Sequence, residues 1–393
     1  MPSAYLVAAA RTPIGRFLGA FKETPAPQLA APTLAACLAR AGLPPDAVDE
    51  VILGQVLSAG VGQAPARQAA LAAGLPPTIS SYSVNQVCGS GLRAVMLAAQ
   101  SIQAGMSRVV LAGGMENMSR APHLVTSARE GTRLGHFSTQ DSLLLDGLWC
   151  AAGQCHMGEH AEFTAREAGL TRAAQDAFAA TSQERAAHAW QASAFASELV
   201  PIPVKTRTGP QSIAVDECLR ADTTSQGLAG LKPAFLPEGT VTAGNSSTLA
   251  DGAAAVLLVD EATARGLSTP WRARIVAMAT AGTEPRRLFF APIAAVGKLL
   301  DQTGLKSDQI DLFEINEAFA SQALAGIAGL RLDPDRVNVW GGAIALGHPI
   351  GASGARVLCT LLSALHARQQ RLGIATLCLG GGNAVALLVE RET

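Results

Sequence analysis

The chain repeats itself, and this limits what it can fold into more tightly than any other feature. "AGLPPDAVDEVILGQV" at 41–56 resembles "TGLKSDQIDLFEINEA" at 303–318, at a constant offset of 262 residues. Gly42, Leu43, Asp46 and Asp49 pair with Gly304, Leu305, Asp308 and Asp311. "SGLRAVMLAAQSIQAGMSRVVLAGG" (90–114) resembles "SGARVLCTLLSALHARQQRLGIATLCLGGG" (353–382), and "AAVLLVD" (254–260) resembles "AVALLVE" (384–390). Each match is weak alone, but three in the same order describe a duplication.

Each half reads strand, helix, strand. Leu92, Val95, Met96, Ala99 and Ile102 follow helical spacing after Ser90, and Gly105 is a stop signal. Val357, Leu358, Leu361, Leu362 and Leu365 repeat the stripe, and "RVVLAGG" and "IATLCLGGG" are short buried strands. Apolar strands alternating with helices predict mostly parallel sheets covered on both faces. Two similar α/β units packed together are therefore expected. The halves differ in one respect: some 140 residues separate Gly113 from "AAVLLVD", where the second half has only Gly380 to Asn383. That much chain is not linker, so a lid or binding subdomain is expected, with helices near 159–168 and 172–190.

Bulk composition narrows the function. Apolar residues are 49% and charged residues 16% of the 393, which supports a large core. Thirty basic residues against 31 acidic ones argue against a dedicated nucleic-acid binder. The inserted segment (119–249) carries 10 basic and 13 acidic side chains, so an anionic ligand would meet a few placed cations rather than a positive field. No apolar run approaches the roughly 18 residues of a membrane span, and the start lacks the charged region of a signal peptide. The cytoplasm is the expected location. Seven scattered cysteines read as free thiols.

Four places carry chemistry. Cys88, in "NQVCGSGLRA", immediately precedes a helix, whose N–H groups and dipole favour a thiolate; a small buried cysteine is the competing reading. The segment "GGAIALGHPIGASGAR" (341–356) holds one histidine among five glycines. In the repeat, Gly351 is the counterpart of Cys88, so a pseudo-twofold arrangement brings His348 close to Cys88, as a Cys–His activation pair requires. The competing reading is a turn histidine satisfied by backbone. Cys378 closes a strand and leads into Gly380 to Gly382, where an oxyanion-binding N–H is available; packing is again the alternative. Asn316 and Glu317 follow the strand "IDLFEI" and either orient a water or a histidine, or begin a helix. Cys150, Cys155, His156 and His160 cluster without zinc-site spacing, so no metal is expected.

These residues carry a resemblance. "AARTPIGRF", "NQVCGSGLRA", "AGGMENMS", "HMGEHAE", "VTAGNSSTLADGAAA", "NEAF", "GGAIALGHPIGASGAR" and "CLGGG" occur in the order and spacing of the thiolases, which the chain resembles along its whole length. The resemblance implies a thiolase fold: a duplicated αβαβα five-layer sandwich with an inserted loop subdomain. The expected halves are 1–118 plus 250–268 and 269–393, with the coenzyme A-binding insertion at 119–249. It also implies roles. Cys88 matches the acyl-accepting nucleophile, His348 its base, Cys378 the α-proton acid/base, and Asn316 the holder of a water that stabilises the enolate with His348. The N–H groups of Cys88 and Gly380 match the second oxyanion hole. Ser247 and Arg220 match coenzyme A contacts, and His156, Met157, Ala318 and Phe319 border the acyl pocket.

The segment "PRRLFFAPIAA" (285–295) departs from the small-residue version common in biosynthetic bacterial thiolases. Leu288 replaces a methionine, Phe289 and Phe290 stand where smaller residues are frequent, and Thr248 stands where glycine is usual. All lie near the acyl end. The implied reaction is reversible Claisen condensation of two acetyl-CoA molecules, with a broader 3-ketoacyl-CoA thiolase of β-oxidation as runner-up. Coenzyme A thioesters are substrates, and no tightly bound cofactor is implied. A homodimer or homotetramer is expected. A ketoacyl-synthase-like enzyme would place a histidine where Asn316 stands, and a non-catalytic lipid carrier would have lost a reactive residue.

Overall fold

The computed structural model describes residues 3–206 and 209–392. The first half runs β1 (Ala4–Arg11), α1 (Ala26–Ala41), β2 (Glu50–Gly54), α2 (Pro65–Ala72), β3 (Ser80–Val84), α3 (Ser90–Gln103) and β4 (Val109–Asn117). The chain then leaves the sheet, forms α4 (Met157–Glu167) and α5 (Arg172–Gln191), and returns as β5 (Ala250–Asp260). The second half runs β6 (Arg272–Gly282), α6 (Ala291–Thr303), β7 (Leu312–Ile315), α7 (Ala320–Leu330), α8 (Ser353–Ala367), β8 (Leu372–Leu379) and β9 (Asn383–Glu392).

The strand order β7-β8-β9-β6-β1-β5-β4-β2-β3 has a centre. On one side lie β6, β9, β8 and β7, and on the other their repeat partners β1, β5, β4 and β2. The halves join where β1 and β6 pair over Tyr5↔Arg274 and Leu6↔Ala273. Most pairings are antiparallel; β2 with β3, β2 with β4, and β7 with β8 are parallel. The expectation of mostly parallel sheets is thus corrected. A strand buried on both faces is apolar whatever its direction, so composition does not report direction. The tight turn after Leu379 forces β9 back antiparallel to β8, and β5 keeps the same place beside β4 despite the long insertion.

Five layers result. Leu29 and Leu34 of α1 pack on Leu53, Leu111 and Leu257 of the first sheet half. Val296 and Leu299 of α6 pack on Ile315, Ile374 and Leu388 of the second. Between them α3 and α8 share one core with strands from both sides. This explains α8, which is buried from Ser353 to Leu365 on every face. Each of its buried leucines contributes about 2 kcal/mol by leaving water.

The paired residues of the repeat serve the same purpose in each half. Gly42 and Gly304 cap α1 and α6 in the left-handed region, at φ of 67° and 70°, where glycine escapes a Cβ clash. The carboxylate of Asp49 accepts N–H bonds from Arg108 and Val109 (2.7 and 2.9 Å), and that of Asp311 accepts them from Arg371 and Leu372 (3.0 and 2.8 Å). Each aspartate thereby sets the start of its neighbouring strand. Near the centre α3 and α8 cross at glycines related by the repeat. A Cβ on Gly91 would lie 2.8 Å from the backbone N of Ala355, and one on Gly354 would lie 2.2 Å from that of Leu92.

The insertion is tied to this frame. The buried guanidinium of Arg11 pairs with Glu198 and Asp216, both from the inserted segment. "ARTPIG" is therefore a structural anchor. No helix among the described residues is long and apolar enough to cross a membrane.

Candidate active site

Cys88 sits at the end of a tight turn leading into α3. Val87 occupies the left-handed region (φ 48°), a costly conformation for a β-branched residue. Ser90 holds the turn: its hydroxyl donates to the Val87 carbonyl (2.6 Å) and accepts from the Gln86 N–H (2.9 Å). The backbone N–H groups of Cys88 itself and of Gly380 bond to the Cys88 sulfur and favour its thiolate. Burial outweighs them and pushes the thiol up to about 12, so the resting group is protonated. Attack on an electrophile thus needs a base.

His348 is buried and held at both ends. Its backbone N–H donates to the Thr248 carbonyl (2.9 Å), and its Nδ1 lies 2.5 Å from Ser353 Oγ. The Ser353 hydroxyl donates to the Pro349 carbonyl (2.9 Å), which leaves its oxygen to accept an N–H from Nδ1. Nε2 then carries the lone pair, 3.5 Å from the Asn316 Nδ2. Burial, with a smaller contribution from Arg356, lowers the imidazole to about 3. The ring is a neutral acceptor over the physiological range.

The second thiol, Cys378, is also buried and pushed well above its ordinary range, first by burial and then by Cys88 nearby. Asn316 accepts no part in a helix, since α7 begins only at Ala320. Glu317, considered above as a second orienting group, is turned away. Its carboxylate accepts bonds from Ser182 Oγ (2.7 Å), Asn338 Nδ2 (2.8 Å) and the Ile344 N–H (3.1 Å), so its place is structural.

One cavity of about 400 Å³ collects Cys88, His348 and Cys378, whereas Asn316 and Glu317 are buried outside its lining. Cys88, His348, Cys378 and Gly380 line its floor, and Arg220 and Ser247 line the side contributed by the insertion. His156, Met157, Ala318 and Phe319 complete the wall. His156 also caps α4, accepting the Gly158 N–H at Nδ1 (3.0 Å), and stacks on Phe235 with ring centroids 4.8 Å apart. Leu288 and Phe289 are buried in the same wall, and Phe289 meets Phe319 edge-on at 5.4 Å. Phe290 is not part of this wall; its ring packs under the Arg287 guanidinium. A neutral histidine, two thiols and converging N–H donors in a largely apolar cavity suit acyl transfer through a thioester.

Comparison with known proteins points the same way. The family model of the thiolase N-terminal domain matches residues 4–262, and that of the thiolase C-terminal domain matches 269–391. The chain belongs to the thiolase family. It is similar over the full length of both chains to the acetyl-CoA acetyltransferase of Pseudomonas aeruginosa (51% identical) and to that of Cupriavidus necator (49%). The crystal structure of the Bacillus anthracis acetyl-CoA acetyltransferase matches with a TM-score of 0.97 at 42% identity, covering 100% of this chain and 99% of that one.

Three residues of this thiolase site escaped the sequence reading. Ser353, which sets the His348 tautomer, is the repeat partner of Ser90, and that pairing was the available signal. Glu116, inside "AGGMENMS", is fully buried and accepts N–H bonds from Val56 (3.0 Å), Leu57 (3.2 Å) and Gly351 (3.0 Å). It pins the His348 loop against the 55–57 loop, and burial raises its carboxyl to about 7. Phe235 lies in an irregular stretch with no periodicity to flag it.

Proposed function

We propose that this thiolase condenses two acetyl-CoA molecules to acetoacetyl-CoA and coenzyme A, and runs the reverse thiolysis at the same site. The observation that carries this is the convergence of Cys88, His348 and Cys378 on one cavity whose acyl end is closed by Leu288, Phe289 and Phe319. The names of the full-length relatives support the acetyl preference.

The steps follow from the groups present. His348, neutral with Nε2 free, takes the Cys88 proton as the sulfur attacks a thioester carbonyl. The coenzyme A thiolate leaves with the Cys378 proton, so an acetyl-cysteine remains beside a His348 imidazolium and a Cys378 thiolate. The second acetyl-CoA then loses an α-proton to Cys378. Its developing enolate oxygen receives hydrogen bonds from His348 and from a water held by Asn316. The carbanion attacks the acetyl-cysteine, and the N–H groups of Cys88 and Gly380 hold the resulting oxyanion. One such donor is worth about 3 kcal/mol in acyl transfer. Arg220 and Ser247 contact the coenzyme A portion, which comes and goes as substrate.

Cytoplasmic residence and a homo-oligomer belong to the same reading. The test is steady-state thiolysis of acetoacetyl-CoA and 3-ketooctanoyl-CoA. The shorter substrate should have the higher kcat/KM, and Cys88→Ala should abolish turnover with the fold intact by circular dichroism. A preference of more than about tenfold for the longer chain would assign the enzyme to broad β-oxidation instead.

A further inference from the structure

Two thiols outside the reaction lie face to face. The strands Trp149–Cys150 and Cys155–His156 form a small antiparallel hairpin in which Cys150 is directly opposite Cys155. Directly opposed residues in an antiparallel pair have Cα atoms about 4.5 or 5.5 Å apart. Both separations lie within the roughly 4.4–6.8 Å that a disulfide spans. Here both cysteines are free thiols.

The surroundings suit sulfur chemistry. The Gly153 N–H donates to Cys150 Sγ (3.2 Å). Cys155 Sγ lies 3.5 Å from His160 Nε2. A Cβ built on Gly153 would sit 3.2 Å from both Cys155 Sγ and His160 Nε2, so the two sulfurs flank one glycine. His160 is buried, and burial lowers its imidazole, leaving a neutral acceptor for the Cys155 proton. Cys155 is half-buried and follows the exposed residues 151–154, whereas Cys150 is buried. This is an attacking thiol in reach of solvent with a resolving thiol behind it. A metal would need a third donor, and among the described residues no His, Cys, Asp or Glu group of that size is arranged to hold one.

The geometry points to a reversible Cys150–Cys155 disulfide, formed by exchange with a low-molecular-weight disulfide such as oxidised glutathione, that narrows the mouth of the acyl-CoA cavity. Cys155, its proton passed to His160, attacks one sulfur of the reagent. A mixed disulfide forms and one glutathione thiolate leaves, taking that proton. Cys150 then displaces the second glutathione, which leaves with the Cys150 proton. Two protein thiols and one reagent disulfide thus become one protein disulfide and two free thiols. Burial and Glu159 raise the Cys155 thiol, which slows the first step without blocking it.

The link to function is short, and it rests on the acyl-CoA reading of the cavity. Leu148 precedes the first strand, and His156 and Met157 end and follow the second; all three line the cavity. Drawing the strands together moves these walls toward each other and hinders substrate entry, while Cys88 and His348 stay in place.

The test uses the whole enzyme. Trypsin releases residues 134–166 as one peptide holding both thiols. After oxidised glutathione and then iodoacetamide, this peptide should carry no alkyl group and be lighter by two hydrogens, and dithiothreitol should reverse both changes. Oxidation should also raise KM for acetoacetyl-CoA about threefold in the wild type but not in Cys150→Ser, whereas oxidation of the catalytic thiols lowers kcat in both. A peptide 134–166 that takes two alkyl groups, or retains glutathione on Cys155, overturns the disulfide. A KM shift that persists in Cys150→Ser overturns the gating. The peptide measurement needs no turnover, so it stands apart from any failure of the acyl-CoA reading.

Discussion

His348 depends on a neighbour at each ring nitrogen, and the less obvious one sets its chemistry. The Ser353 oxygen accepts the Nδ1–H hydrogen bond and so leaves Nε2 as the base. Ser353→Ala should lower kcat about tenfold with KM little changed, measured by steady-state thiolysis, because the ring then samples the wrong tautomer. An unchanged kcat would mean that packing alone orients the ring. The same burial couples His348 to stability. Its value is lowered in the fold to about 3 from an ordinary 6.5, so below 6.5 the unfolded chain binds the extra proton. The contribution is complete above pH 6.5 and is lost as pH falls toward 3. The buried carboxyls Glu116 and Glu314 are raised and act in the opposite sense. The comparison must therefore be differential: the melting temperature of the wild type should fall more steeply between pH 6.5 and 4 than that of His348→Asn. At this scale Cys88 and His348 were legible because the repeat puts them at equivalent helix ends. Glu317 was misjudged because a carboxylate beside a site looks the same in sequence whether it faces the site or the core.

Elements show why the site is assembled with such precision. Cys88 and His348 each lie just before one of two helices, α3 and α8, whose separation is set by Gly91 and Gly354. Gly354→Ala brings a methyl within 2.2 Å of a backbone nitrogen, which has no rotamer to move away. The helices must separate, at a cost of about 3 kcal/mol or more. Urea denaturation should show that loss, and activity should fall further than stability, since the two reactive groups move apart with the helices. A variant of wild-type stability would place the contact elsewhere. Helical stripes and strand positions were readable from period alone. Strand direction was not, because hydrogen-bonding direction leaves no mark on a strand buried on both faces.

For the whole molecule, the two sheet margins differ. At the β7 end the loop after α7 covers the strand, with the Asn338 N–H bonded to the Phe313 carbonyl (2.9 Å) and Val337 bridged to Phe313. At the other end β3 is an exposed margin bearing Tyr82, 39% accessible. An uncovered edge strand pairs readily with another chain. The homo-oligomer proposed above would use this margin to pair with a second copy about a twofold axis. Light scattering should give at least a dimer, and Tyr82→Lys should shift it toward monomer; a monomeric wild type would remove the homo-oligomer proposal. The inserted segment was visible as excess length, but its anchoring by Arg11 was not, because Glu198 and Asp216 lie about two hundred residues away in sequence.

The glycine crossing has a consequence for stoichiometry. Gly91 and Gly354 are repeat partners, and each rests on the helix of the other, so the internal symmetry axis runs between them. The axis exchanges the two helix ends, but the ends carry different residues. Duplication therefore doubled the scaffold without doubling the reaction centre: Cys88 has Gly351 as its counterpart, and His348 has Asn85. Acetyl-CoA added in excess should accordingly load one acetyl group per chain, as intact-mass measurement would count. A second acetyl would mean that the two halves retain independent acceptors.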